Sequence, residues 1–344
     1  MASPILKALK KNLYEHCTGK GAGYREVKIH WLIDPKLAPL IESNPYVDQL
    51  IMWDKARWKK LMHRWKRDVK GISGLIAEIR SFGRMLRLQH YDMALDLQGL
   101  FRSRFLSWLS GARERIGFSS REPGRFLMTR IVSKGPQDPM MGSEYLFLMK
   151  ELGIEVTDPA PHVFISKSAR EKALALLEDY GISGPYMAFS PFTTRPQKHW
   201  LHNRWPTLAA SLTNRYGLPI VILGGPQDED LAADLADTGR GTILSLAGRL
   251  TIDESAAVVA GATALIGVDT GLTHMGTALN TPTIALFGAT RPYLETPVNT
   301  TTVIYHKLPC SPCRRRPTCS DFPCMKDISC EEILDALGGL IEKG

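Results

Sequence analysis

The sequence predicts an α/β chain of two doubly wound, parallel-sheet domains that face each other across a central cleft. Three observations carry this reading. The second half alternates short apolar runs, mostly closed by Gly, Pro or Asp, with helix-compatible stretches of about 10 to 14 residues. The first half repeats that order more loosely. The length of 344 residues suits two domains of roughly 100 to 200 residues each.

In the second half the runs are YMAFSPF (186–192), PIVILGG (219–225), TILSLAG (242–248), TALIGVD (263–269) and PTIALFG (282–288). Short, near-continuous apolar runs are what strands buried on both faces of a parallel sheet require. Between them lie RWPTLAASLTNRYG, DEDLAADLADTG, TIDESAAVVAGA and GLTHMGTALN, some opening with acids that suit a helix N-terminus. The first half offers VKIHWLID (27–34), QLIMWD (49–54), MALDLQG (93–99) and RIGFS (115–119), with helical stretches at 71–89, 101–109 and 141–152. The halves therefore read as Rossmann-like domains, residues 1–170 and 171–344, joined near 166–184. The C-terminal helix is expected to pack back on the first domain.

Composition narrows the class. Hydrophobic residues at 44% and charged residues at 23% fit a globular chain and not a disordered or collagenous one. No run of 18 or more apolar residues occurs, and the N-terminus MASPILKALKKNLYEH lacks a secretory h-region, so a cytoplasmic location is expected. The net charge of +8 is uneven: residues 1–182 carry thirty basic and twenty acidic residues, and 183–344 thirteen and fifteen. Two segments, 51–70 and 102–134, each hold eight basic and two acidic residues. They imply a phosphate-rich partner, with a solvated helix face as the plainer reading. Trp53, Trp58 and Trp65 interleave the first segment, as at a membrane interface or a sugar, or as the buried side of a basic helix. A nucleic-acid partner would rest on the pI near 9.1 alone and is not expected.

Ligands of doubly wound sheets bind beyond the carboxyl ends of the strands. After 186–192, Thr193 and Thr194 offer hydroxyls and Lys198 a mobile cation, a set suited to a diphosphate; a polar loop without ligand is the alternative. After 219–225, Glu229 opens a helix and could accept ribose hydroxyls, or simply complement the helix dipole. After 263–269 comes DTGLTHMGTAL: Asp269 ends a strand, Thr270 and Gly271 turn, and His274 lies in the first helical turn, giving an anion site for a phosphate. The turn ATRPYLETP after 282–288 borders the same cleft. A single DTG lacks the second carboxylate loop an aspartic protease needs. No GxGxxG or Walker A sequence occurs.

With these residues in place, the chain resembles the ADP-heptose lipopolysaccharide heptosyltransferases, family-9 glycosyltransferases of GT-B architecture. The resemblance rests on TTRPQKHW, GGPQDE, SLAGRLTIDE, GVDTGLTHMGTAL and ALFGATRP in the second half. In the first half it rests on HWLIDPKLAPLIESNPYVDQLI, YDMALDLQGLFRS and GARERIGFSSREP. TTRPQKHW and SSREP look more like heptosyltransferase I, whereas PCSPCRRRPTCSDFPCM is more usual in heptosyltransferase II. The resemblance implies an inverting transferase that moves heptose from ADP-heptose to Kdo or heptose of the lipopolysaccharide inner core and uses no further cofactor. It implies that Thr193, Thr194 and Lys198 bind the diphosphate and stabilise the departing ADP, Glu229 the ribose, and Asp269 the heptose hydroxyls, with Thr270, Gly271 and His274 around the phosphates. Arg57, Lys59, Lys60 and Arg121 become candidates for the acceptor, Kdo–lipid A, at the anionic inner face of the inner membrane. A nucleotide-sugar epimerase and a non-catalytic nucleotide-sugar or lipid A binder are the competing functions.

The resemblance also implies a first strand and a Gly-Asp loop whose Asp serves as base. Pro4 matches the family proline, so that Asp would fall before Met1. Either about 20 family residues are omitted or the N-terminus has diverged and another group substitutes; Asp96 is one acid to test, with a structural carboxylate as the alternative. Such a chain is expected to bind ADP-heptose with weak or absent turnover, and to leave the neighbours of the missing strand unpaired. Cys310, Cys313, Cys319 and Cys324 are enough thiols for a tetrahedral zinc, but their spacing is not that of a ribbon or finger. Reduced thiols in a loop, with no metal, is the reading adopted.

Overall fold

The computed structural model describes residues 2–18, 27–65, 69–239, 241–313 and 317–342. Residues 66–68 of the first basic segment lie outside the described residues.

The first domain runs α1 (Pro4–Thr18), β1 (His30–Ile33), α2 (Pro39–Glu42), β2 (Gln49–Met52), α3 (Lys55–Trp65), α4 (Val69–Arg87), β3 (Met93–Asp96), α5 (Phe101–Leu109), β4 (Glu114–Phe118), β5 (Arg130–Val132) and α6 (Ser143–Glu151). The second runs α7 (Lys167–Asp179), β6 (Met187–Ser190), α8 (Arg204–Tyr216), β7 (Ile220–Ile222), α9 (Glu229–Thr238), β8 (Ile243–Ser245), α10 (Ile252–Gly261) and β9 (Ala264–Val268). It continues through α11 (Gly271–Ala278), β10 (Thr283–Phe287), β11 (Thr301–Tyr305), α12 (Pro323–Lys326) and α13 (Cys330–Ile341).

In the second domain six parallel strands lie in the order β11-β10-β9-β6-β7-β8. Every residue of β6, β7, β9 and β10 is buried, as the apolar runs require. Met187, Phe189, Ile222, Ile266 and Leu286 face α8 and α13 on one side; Ala188, Val221 and Leu265 face α7 and α10 on the other. Helix α10 starts on a capping box in which the Thr251 backbone N–H donates to Glu254 at 2.8 Å. Helix α11 lies close on the sheet because Gly276 has no side chain: a Cβ there would meet Leu265 and Thr283.

The first domain's strands form two separate parallel sheets, β1-β2 and β3-β4-β5. No residue of β1 is fully buried, and β1 and β3 each carry an unpaired edge among the described residues. Ile29 at the start of β1 and Met93 and Leu95 of β3 share one apolar cluster with Ile5 and Leu9 of α1, so α1 helps bind the two sheets into one layer.

Two readings of the sequence now have named contacts. Helix α13, expected on the first domain, packs in the second-domain core among the described residues. Ile333 and Leu337 are buried in the second-domain core with Leu208 and Ile304, while Trp200 Nε1 donates to the Ile328 carbonyl just before the helix at 3.0 Å. A helix with that apolar stripe is consumed by the nearest open sheet face. Trp58 is buried with Ile51, Leu86 and Leu106, and Trp53 packs edge-on against it at 5.8 Å, so this part of the aromatic interleaving is core. The Trp65 side chain lies outside the described residues.

Strands β5 and β11 were not foreseen. The three residues of β5 are too few for a period-2 pattern, and TTVIY of β11 carries polar threonines where the other strands are apolar. Helix α7 contributes Ala173 and Leu177 to the second core, so the domains join ahead of Lys167.

Candidate active site

Strand order reverses between β6 and β9, from β6-β7-β8 on one side to β9-β10-β11 on the other, and doubly wound sheets open their ligand crevice at such a point. Both strands end there in a chemistry-bearing loop. After β6, a 3-10 turn at Pro196–Lys198 presents Lys198; after β9, Asp269 precedes α11. Lys198 Nζ lies 2.7 Å from Asp269 Oδ2 and donates to the Asp269 main-chain carbonyl at 2.7 Å. The ammonium has three N–H bonds, so one remains for a ligand in the crevice.

Three further groups fix the carboxylate. His274 Nε2 stands 3.2 Å from Asp269 Oδ1, Thr290 donates to Oδ2 at 2.5 Å, and Tyr293 OH is 2.9 Å from His274 Nδ1. An ionised carboxylate only accepts, so His274 carries its proton on Nε2 and, when neutral, accepts from Tyr293 at Nδ1. Burial by itself would raise the Asp269 pKa, but the hydrogen bonds from His274, Lys198 and Thr290 outweigh it and hold the carboxyl well below the usual range. The result is a nearly buried acid whose ionised form is favoured, with a cation beside it.

Helix α11 begins directly at this cluster. Thr270 is its N-cap residue but makes no side-chain capping bond; its hydroxyl lies 3.1 Å from that of Ser190 on β6. A Cβ added at Gly271 would meet open space, so the first turn's backbone N–H groups have room before them. That is the geometry of an anion site.

Of the remaining predicted residues, Thr193 is half-buried and its carbonyl contacts His199 Nε2 at 2.8 Å, while Thr194 is exposed. Glu229 opens α9 at the carboxyl end of β7, its carboxylate lying where a side chain on Gly248 would be. Lys198, Asp269, Thr270, Gly271 and His274 are thus brought together; Glu229 lies along the same sheet end, after β7, the strand next to β6.

The basic candidates are apart from this cluster. Arg57 pairs with Glu78 at 2.7 Å, Lys59 and Lys60 are exposed on α3, and Arg121 is exposed after β4. No hydrogen bond or ion pair joins any of them to the Asp269 cluster among the described residues. Asp96 is buried in the β3–α5 turn, where Oδ1 accepts from the backbone N–H groups of Gln98 at 2.9 Å and Gly99 at 3.1 Å. One oxygen therefore serves the turn, as a structural carboxylate does; Oδ2 has no partner among the described residues. Cys310, Cys313, Cys319 and Cys324 are free thiols, and Cys313 Sγ lies 3.8 Å from the Ala289 carbonyl. Burial, then the neighbouring Cys310, Cys313 and Cys319, pushes the Cys324 thiol up to about 11. Among the described residues no three of His, Cys, Asp or Glu stand as a metal-ligand set.

Thr290 and Tyr293 were missed individually, although their turn was placed at the cleft. The sequence signalled only the turn, which follows β10, the strand next to β9, and not which of its hydroxyls turn inward. The same turn reaches the first domain, with the backbone N–H of Leu294 donating to the Pro139 carbonyl at 2.9 Å and that of Met141 to the Glu295 carbonyl at 2.9 Å.

Comparison with known proteins assigns the family. A family model described as glycosyltransferase family 9 (heptosyltransferase) matches residues 79–321. Lipopolysaccharide heptosyltransferase 1 of Pseudomonas aeruginosa is 29% identical over 310 residues, covering 88% of this chain and 81% of the relative. Among solved structures, a family-9 glycosyl transferase from Veillonella parvula superposes with a TM-score of 0.78 at 21% identity, covering 100% of this chain and 93% of its own. E. coli heptosyltransferase WaaC with ADP-2-deoxy-2-fluoro heptose gives 0.66 at 23% identity, covering 98% and 96%. The two-domain α/β fold is thus that of GT-B glycosyltransferases, and the chain belongs to glycosyltransferase family 9, the heptosyltransferases.

Proposed function

We propose that this heptosyltransferase moves heptose from ADP-heptose to Kdo or heptose of the lipopolysaccharide inner core, with inversion, at the anionic face of a membrane. The observation that carries the donor side is the Lys198–Asp269 pair at the β6/β9 switch point, with the α11 N-terminus beside it. In this reading the diphosphate takes the remaining Lys198 N–H and the first-turn backbone N–H groups of α11, with Thr193 and Thr194 at its edge. Asp269 accepts from heptose hydroxyls, and Glu229 from the ribose.

The chemistry follows from charge. As the anomeric carbon gains oxocarbenium character, negative charge accumulates on the leaving diphosphate, where Lys198 and the helix N-terminus stabilise it. Ionised Asp269 stands on the sugar side of the same cation and favours the developing positive charge. The acceptor hydroxyl must lose its proton to a base on the acceptor side, and the donor cluster does not supply one, since the donors around Asp269 hold its carboxyl well below the usual range and leave it a weak base. Arg57, Lys59, Lys60 and Arg121 are the acceptor-side cations of this reading.

Transfer assayed with ADP-heptose and Kdo–lipid A, against a UDP-sugar control, tests it. Heptose transfer from ADP-heptose alone is expected. Binding without transfer would leave a nucleotide-sugar binder, and release of an epimerised sugar would replace the reading altogether.

A further inference from the structure

The first domain carries an aromatic ridge that its core uses only at the middle: Phe105 packs partly against the cluster of Ile51, Trp58 and Leu106, and the ring on either side of it is exposed. Phe101, Phe105 and Trp108 recur at i, i+4 and i+7 along α5 and stack in a row, with ring centroids 6.4 Å apart between the first two and 5.8 Å between the last two. Phe101 and Trp108 are 41% and 42% exposed. The ridge continues onto the turn after β4: a Cβ on Gly124 would meet the Phe101 ring at 2.9 Å, and two residues on, Phe126 is 83% exposed. No other aromatic residue among those described is so bare.

The ridge is rigid and basic. Arg104, buried on α5 beside the ridge, donates to the carbonyls of Glu122 at 2.7 Å, Pro123 at 3.0 Å and Phe118 at 2.9 Å, fixing the turn that carries Phe126. Arg87 lies 6.0 Å from the Trp108 ring centroid, and Arg102, Arg121 and Arg125 are exposed on α5 and the turn, with Glu122 the acid there. Rings that present an apolar body between cations suit the headgroup level of a bilayer carrying negative charge.

We infer that the α5 ridge, Phe101–Phe105–Trp108 with Phe126, is the surface by which this chain rests on an anionic phospholipid bilayer. Charge selects the occupant: each exposed Arg near an anionic surface strengthens attachment about fivefold, whereas an uncharged protein face would leave these cations unmatched. The inference deepens the proposed function, because an acceptor held in a membrane needs its enzyme seated there. It also moves the aromatic contact from α3, where Trp58 is core, to α5.

The test is sedimentation of the full chain with vesicles of phosphatidylethanolamine and phosphatidylglycerol, and with phosphatidylcholine vesicles. Binding to the anionic vesicles only is expected, weakened about tenfold by Phe126→Ser and again by Trp108→Ser. Leu174→Ser, at an exposed leucine on α7 of the second domain, should bind as wild type. Thermal melts check that each variant folds; Phe126 projects far enough for its loss to be tolerated. Wild-type binding by both aromatic variants, equal binding to neutral vesicles, or no binding at all would overturn the inference. Loss of heptose transfer with vesicle binding intact would instead count against the proposed function.

Discussion

Lys198 Nζ is held at 2.7 Å from both the side-chain Oδ2 and the main-chain carbonyl of Asp269, so one cation satisfies the end of β9 twice and keeps a single N–H for the crevice. The cation and the acid are thereby held together where the strand order reverses; in the proposed reading they are the leaving-group cation and the sugar-facing acid.

Replacing Lys198 with Met is therefore expected to lower kcat about 10²- to 10³-fold, the usual size of losing one preorganised donor to developing negative charge. Steady-state kinetics with ADP-heptose measure it, and ADP affinity should fall as well. A kcat unchanged within threefold would remove Lys198 from leaving-group stabilisation.

Thr290→Ala takes away one of the three side-chain donors to Asp269. Hydrogen bonds to charged groups contribute about 1.5–3 kcal/mol, and this partly buried one should cost about 1–2 kcal/mol in denaturant unfolding. The Asp269 carboxyl pKa should rise in the variant, read by its carbon-13 shift. An unmoved titration would show that Thr290 follows Asp269 without holding it.

The pH dependence has a definite sign. Asp269 has a folded-state pKa depressed below its unfolded value, so its contribution to stability is full above the unfolded pKa near ~4 and is lost as pH falls from there toward the folded value. Asp269→Asn should flatten this acid limb of the stability curve. Equal acid limbs in wild type and variant would contradict the depressed pKa.

Gly248 follows β8 at φ +73°, a backbone region that favours glycine, and its missing side chain is the space the Glu229 carboxylate fills. Gly248→Ala should destabilise by about 1–3 kcal/mol and displace Glu229, weakening ADP binding more than inorganic pyrophosphate binding. Similar losses for both ligands would separate Glu229 from the ribose.

Much of this was legible beforehand because second-domain strands buried on both faces read as continuous apolar runs, which fixes the sheet and hence its carboxyl ends. Lys198, Asp269 and His274 could be placed from there. Thr290 and Tyr293 could not, because hydroxyls that act by orienting a neighbour look like any loop residue until distances are known. The first domain was harder: its strands are only half-buried, so their periodicity is weak, and β5 is three residues long. The partner of α13 was not legible, since an amphipathic stripe says that a face is buried but not against which domain.

The most direct measurement is calorimetric titration of the chain with ADP-heptose, with UDP-glucose as control, in wild type and Lys198→Met. The account predicts binding of ADP-heptose alone, weakened by the substitution. Binding of both sugar nucleotides alike, or of neither, would contradict a donor site built on Lys198 and Asp269.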